Sequence, residues 1–219
     1  TKENDALGFE NKSFVRTSSA FGVRNFANTA FEELDGHRLL VTYDAGRPWE
    51  INPETLEVIT PVGQLDKWRP FLPPVSPALN FLPLSMTSAH PAYDAADGLT
   101  YMANFASPVE GLGTEPFTRL LRWDGMSEPE YCEVVDQNGD PALIMMACHQ
   151  ILVTAQHVIL LDTAFRLEAE AFFGGDPITR PAIPETTMWI IAKADFVAGG
   201  QVTAIRASVP TEGAHALCT

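Results

Sequence analysis

The sequence predicts an all-β protein, and three observations carry that prediction. Short runs of β-branched and aromatic residues recur along the chain, turn-forming residues separate them, and no stretch holds three turns of apolar residues at helical spacing. In chain order the strand-like runs are "RLLVTYD", "LEVIT", "LTYMANF", "TRLLRWDG", "YCEVV", "ALIMMACHQILVT", "HVILLDTAF", "TMWIIAKADF" and "QVTAIRASV". The segments between them, among them "DAGRP", "NPET", "DAADG", "DQNGD" and "VAGGQ", supply the Gly, Pro, Asn and Asp that turns require. The stretch "TAFEELDGHRLL" comes nearest to a helix, but Gly36 interrupts it and its second half suits a strand better. Many short strands at close spacing predict a sandwich, a barrel or a propeller, and the pattern alone leaves all three open. No WD or kelch signature is present.

One segment breaks the rhythm. "KWRPFLPPVSPALNFLPLS", residues 67 to 85, carries five prolines among large apolar side chains. Proline cannot donate to a ladder, so a long loop lying on the sheet edges is predicted. It is either a surface excursion packed on its own apolar residues or one wall of an apolar substrate entrance.

Composition narrows the function. The 219 residues are 46% hydrophobic and 19% charged, a globular balance. With 28 acidic against 14 basic residues, the net charge of -14 repels phosphate backbones and anionic lipid surfaces, so nucleic acid is not an expected partner. Cys132, Cys148 and Cys218 are far apart with no CxxC pair, which argues against a disulfide framework or a cysteine zinc site and for a reducing, cytoplasmic setting. No apolar run approaches the roughly 20 residues that span a bilayer. The chain starts on Thr1 and stops at "EGAHALCT", which reads as an internal piece of a longer protein.

Several familiar sites are missing from the sequence: there is no GxSxG elbow, no HExxH and no P-loop, and "GLG" at 111 to 113 lacks a third glycine. Cys148 and His149 are adjacent, and neighbours on a strand point to opposite faces, which argues against a thiol and base pair. Five histidines remain: His37, His90, His149, His157 and His215. His90 follows a strand in "SAHP", His149 lies within the apolar "IMMACHQILVT", and His215 follows "VPTEGA" after another strand. A buried, uncharged setting leaves imidazole neutral, the form that binds metal. Contributed one per successive sheet, these three could converge only if the sheets are arranged radially, as around a propeller axis. Taken singly, each is more often a structural or surface residue. His37 in "LDGHR" and His157 at the start of a strand are not expected to bind metal.

The runs "VRTSSAF", "ANTAFEELDGHRLLVTYDAGRPWEINPETLE", "TSAHPAYD" and "ACHQILVTAQHVILLD", in that order, resemble the carotenoid cleavage oxygenase family. The resemblance spans most of the chain, and "GRPWEINPETLE" and "SAHP" are its specific parts. It implies a seven-bladed β-propeller, of which residues 1–219 would be a single partial domain, truncated at both ends and covering roughly the first half to the middle. It also implies one Fe(2+) per full-length chain, held on the axis by four histidines. His90 matches the first ligand, His149 the second and His215 the third, with the fourth beyond Thr219. Two departures stand out. The family usually has Asp after the second ligand, where this chain has Gln150. It carries a glutamate that supports the ligand shell where this chain has Asp44, one methylene shorter, which can equally be read as a turn aspartate before Gly46.

The reaction so implied is O2-dependent cleavage of a conjugated C=C bond of a carotenoid or apocarotenoid into two carbonyl products, part of carotenoid catabolism. A stilbene-cleaving dioxygenase is the alternative enzyme, and a propeller that binds without catalysis is the alternative of another class. The implied partners are an apolar conjugated small molecule and O2. Cytoplasmic location with peripheral membrane contact, for substrate uptake by the full-length protein, completes the expectation. Ligand type alone does not choose iron, since imidazole also suits zinc, copper and nickel.

Overall fold

The structure is a computed structural model that describes residues 8–12, 15–18, 20–34, 38–71, 83–108, 114–163, 185–210, 213 and 215–217. His37, Cys218, the "GLG" run and residues 72–82 of the proline-rich loop lie outside the described residues.

The described residues form strands joined by turns, with two single-turn 3-10 segments and no α-helix among them. A small antiparallel sheet comes first, from β1 (Glu10–Lys12), β2 (Val15–Ser18) and β3 (Gly22–Arg24). A four-stranded meander follows, from β4 (Ala30–Leu34), β5 (Arg38–Thr42), β6 (Trp49–Ile51) and β7 (Val58–Pro61). In the third sheet, β8 (Met86–Thr87) and β9 (Ala92–Asp94) both pair with β10 (Leu99–Ala106), which continues into β11 (Phe117–Trp123) and β12 (Glu130–Val135). The fourth begins with β13 (Ile151–Val153), β14 (His157–Asp162) and β15 (Thr186–Ala192). The chain then sends β16 (Gln201–Thr203) to lie parallel on the outer edge of β12, before β17 (Ile205–Val209) completes the fourth sheet beside β15. One sheet thus lends a strand to its predecessor and covers an edge that would otherwise be open.

The sheets pack side by side. The first strand of the meander touches β9, and β9 in turn touches β13. β10 shows why the middle sheet reads as a continuous apolar run: both of its faces are covered. Tyr101, Ala103 and Phe105 face one buried cluster with Leu120, Leu160, Trp189 and Ile191. Met102, on the opposite face, joins Leu34, Leu40, Val62, Trp68, Leu121 and Trp123. Polar ties reinforce the second of these contacts. Arg38 on β5 forks onto the Glu50 carboxylate at 2.7 and 2.6 Å and donates across to the Gly125 carbonyl in the turn between β11 and β12.

The structure changes the sequence reading in three places. "TAFEELDGHRLL" is a strand in both halves, β4 and β5. The strands β1 to β3, β6, β8 and β9 are too short to show two full periods of alternation, and the sequence pattern passes over them. "ALIMMACHQILVT" is not one strand: only its last part is β13, and residues 142–150 touch neighbouring backbone at isolated bridges.

Asn104 on β10 is polar and wholly buried. Its Oδ1 accepts from the Arg69 N–H at 2.7 Å, and its Nδ2 lies 3.0 Å from both the Arg69 and Met86 carbonyls. It thereby ties the start of the proline-rich loop and β8 to the centre of the sheet. Asn104→Leu keeps the volume and strands these three backbone groups, so it should lower unfolding free energy by about 3 kcal/mol, read as a drop in urea midpoint at unchanged slope.

Candidate metal centre

Three of the five histidines meet at one place, and each arrives on a segment just outside a regular strand. His90 lies between β8 and β9. Its N–H donates to the His149 carbonyl at 2.9 Å, and its own carbonyl accepts from the Ile151 N–H at 3.1 Å, so His90 pairs with Gln150 as an isolated parallel bridge. The preceding Ala89 carbonyl accepts from the Thr42 hydroxyl at the end of β5. Pro91 follows, and the bridge uses the N–H and carbonyl of His90 alone.

His149 precedes β13 at the end of the irregular stretch that sequence periodicity reads as strand. Asp162 sets the path of that stretch. Its two carboxylate oxygens accept the Met145 and Met146 N–H groups, each at 2.8 Å. The next carbonyl, of Ala147, accepts from the Thr163 N–H at 2.9 Å and from its hydroxyl at 3.0 Å. Cys148 is fully buried, and burial first, then the charge of Asp162, pushes its thiol far above the ordinary range. It is inert packing beside the histidine, as opposite-face geometry anticipates.

Asp44 is 5% exposed and reaches the Nδ1 of His149, itself 9% exposed, at 2.7 Å. A carboxylate accepts only, so it is Nδ1–H that donates to Asp44, and Nε2 is the nitrogen left to face an ion. The loop bearing Asp44 is tied down on both sides. Thr87 donates its N–H to the Asp44 carbonyl at 2.8 Å, and Ala45 bridges Met86. The Thr87 hydroxyl lies 2.7 Å from the Tyr43 carbonyl and 2.8 Å from that of Gly46, so its one proton is shared between them. Gly46 is needed for close approach: a Cβ there would stand 2.5 Å from Cγ of Asn25. That amide is itself fixed, donating to the Arg47 carbonyl at 2.7 Å and accepting from the Ala27 N–H at 2.9 Å.

His215 comes from the segment after β17. Its Nε2 stands 3.2 Å from Nε2 of His90. The ring centroids of the three histidines are 4.7, 4.9 and 5.1 Å apart, with all three planes steeply inclined to one another. One ligand atom from each ring lies within 4.8 Å of the others. Two imidazole nitrogens, each about 2.1 Å from one ion, stand about 3.0 Å apart at a right angle and about 3.4 Å apart at the tetrahedral angle. The observed 3.2 Å fits two bonds to a common centre. An N–H···N bond would also fit that distance, but it would not require the third ring. His90 is held below the ordinary histidine value by burial first, then by the His149 and His215 rings, against an opposing pull from Asp44. It is therefore neutral near pH 7, the state a metal requires. Tyr43, next to Asp44, is pushed up to about 12 by burial and by that charge, and stays a neutral phenol.

His157 takes no part. It begins β14 and lines an open groove with Asp97, Tyr101, Arg122, Gln156 and Lys193. Sequence reasoning missed Thr42, Thr87 and Asp162 altogether, because a hydroxyl or carboxylate at a strand end carries no signal of what it will meet.

Side-by-side sheets with imidazoles gathered from three segments outside the strands define the class: a β-propeller with a three-histidine group that could hold a metal ion. The family model described as retinal pigment epithelial membrane protein, RPE65, matches residues 4–209, and the chain belongs to this family, the carotenoid cleavage oxygenases. Among solved structures the chain is similar to an ACO/RPE65 chimera, with a TM-score of 0.53 and 18% identity over 94% of this chain and 41% of that one. It is also similar to a point mutant of Synechocystis ACO, with a TM-score of 0.55 and 17% identity over 95% of this chain and 42% of that one. A lignostilbene dioxygenase of Pseudomonas brassicacearum matches at a TM-score of 0.47 and 18% identity, over 77% of this chain and 31% of that one. No curated protein sequence matches the chain significantly. The chain thus spans less than half the length of the structures it resembles. No helix among the described residues is long and apolar enough to cross a membrane.

Asp162 gives the approach to His149 a pH dependence. Burial raises its carboxyl to about 6, against the lowering effect of the Met145, Met146 and Ala147 N–H groups. With the folded value above the ordinary 3.8, its contribution to stability is complete below about pH 4 and is lost as pH rises through 6. Unfolding free energy should therefore fall across that window by on the order of 2–3 kcal/mol. The same pH series on Asp162→Asn should show a visibly smaller slope; equal slopes would remove Asp162 as the source.

Proposed function

We propose that the protein to which this chain belongs is a non-haem Fe(II) dioxygenase that cleaves a conjugated C=C bond of a carotenoid or apocarotenoid. His90, His149 and His215 would be three of its four metal ligands. The observation that carries the reading is the convergence of three imidazoles from three separate segments, in a chain matched by the family over residues 4–209. The remaining ligand would come from outside the 219 residues, which make up one part of the propeller under this proposal.

An Fe(II) held there would supply activation of O2, and the overall change, R–CH=CH–R′ + O2 → R–CHO + R′–CHO, balances without a further reductant. The chain's own residues orient the donor set, and burial keeps His90 neutral. Asp44 accepts the hydrogen bond from His149 Nδ1–H and so turns Nε2 inward. Although one methylene shorter than a glutamate, Asp44 stands 2.7 Å from the ring, which supports an intact centre over a propeller that has lost its metal. No side chain is required as a general acid or base. The bond to be cleaved would be chosen by how an apolar channel seats the polyene beside the centre.

In the full-length protein, His90→Ala or His149→Ala should abolish iron retention measured by elemental analysis, and iron content unchanged in both would remove them from the ligand set. Asp44→Asn should weaken Fe(II) binding about 10- to 100-fold in chelator competition, because the amide cannot hold the Nδ1 proton as the carboxylate does. Incubation with a carotenoid, an apocarotenoid and a phenolic stilbene, followed by aldehyde detection, decides the substrate class. Products from the stilbene alone would favour the stilbene-cleaving alternative, and none from any of them would leave the non-catalytic binding module.

A further inference from the structure

We propose that Gln150 is a positioning residue that places His215, an inference that rests on the reading of His215 as a metal ligand. The Gln150 amide makes two hydrogen bonds to one backbone residue: its Nε2 donates to the Ala216 carbonyl at 3.0 Å, and its Oε1 accepts the Ala216 N–H at 2.9 Å. This repeats the two-way exchange by which neighbouring strands recognise each other, with a side chain in place of the second strand. A two-point contact fixes direction as well as position, and Ala216 is directly bonded to His215.

The His215 segment has little else to locate it. β17 ends at Val209, and among the described residues no ladder bond reaches residues 213 to 217. His215 itself is exposed, whereas His90 and His149 are held by backbone pairing on well-packed segments. Gln150 is suited to the task by its place. It follows His149 in the chain, and its backbone is bridged to His90. One residue is therefore joined to all three histidines: by a peptide bond, by a backbone bridge and by a side-chain clamp. Its length and its paired donor and acceptor both matter. An aspartate here would be a methylene short, would have no donor for the Ala216 carbonyl, and would turn a negative oxygen towards it.

The test uses the full-length protein with Gln150→Met, which keeps length and loses both bonds, Gln150→Asn, which keeps the amide and loses reach, and His215→Ala. Three quantities are read: Fe(II) affinity by chelator competition, the visible ligand-field spectrum of the Co(II)-substituted protein, and the melting temperature of the metal-free form. We expect Gln150→Met to weaken Fe(II) about 10- to 100-fold and to shift the Co(II) bands, with the metal-free melt moved by only a few degrees. Gln150→Asn should change both metal readouts in the same direction, and it decides the matter if Gln150→Met does not fold. Wild-type affinity and spectrum in both Gln150 variants, beside weakened binding in His215→Ala, would overturn the clamp and leave the ligand reading standing. Weakened affinity with an unshifted Co(II) spectrum would also overturn it, since that marks a merely structural role. Unchanged Fe(II) affinity in His215→Ala would instead overturn the ligand reading on which the inference rests.

Discussion

The site depends on a single backbone exchange. The His90 N–H reaches the His149 carbonyl, and the Ile151 N–H reaches the His90 carbonyl, so two segments 59 residues apart are bound at the one place where each carries an imidazole. Neither bond belongs to a sheet of any length. On the His149 side, the Asp162-bound turn keeps the preceding residues out of a longer ladder. An extended ladder would set alternate side chains to opposite faces all along its length, whereas an isolated bridge can hold two rings on one side and release the chain at once. The third and fourth sheets then diverge from the bridge, and the packing between β9 and β13 preserves its register.

Around this bridge the polar groups are buried in matched sets, and each set passes its constraint to the next. Asn104 ties β8 to the middle of the third sheet. Thr87 on β8 holds both sides of the Asp44 turn, and Asp44 orients the His149 ring. Every member is a hydrogen-bonded group in a region where an unpaired one is destabilising by about 1–3 kcal/mol, so the arrangement has few alternatives of similar energy. The orientation of the His149 ring is thereby determined by residues of the second and third sheets.

Much of this was legible in the sequence, though unevenly. The longer strands β10, β11, β12 and β14 carry β-branched and aromatic residues, and "DAADG" before β10 and "DQNGD" after β12 mark limits that could be read. His90 in "SAHP" and Asp44 in "YDAGRP" stood in segments distinctive enough to be matched to a family. What failed was whatever depends on a distant partner. The run 142–150 is as apolar as any strand in the chain, yet Asp162 captures two of its N–H groups and bends it away from the ladder, and nothing within the run betrays that. Gln150 appeared only as a departure from the usual aspartate; its use of the Ala216 peptide depends on a contact 66 residues away.

The three histidines are consequently unequal in how firmly they are held. His90 and His149 share backbone bonds, and to move either one must break the bridge and disturb the packing of β9 against β13. His215 sits on a segment without a ladder, exposed, and is located through a side-chain amide. Side-chain clamps can open by rotation about two or three single bonds, whereas a backbone bridge between packed sheets opens only with the sheets themselves. Of the three imidazoles already gathered there, His215 is therefore the one most readily displaced. In these terms Gln150 brings His215 under the control of the same residue that already joins His90 and His149, because its length and its paired donor and acceptor reach the Ala216 peptide.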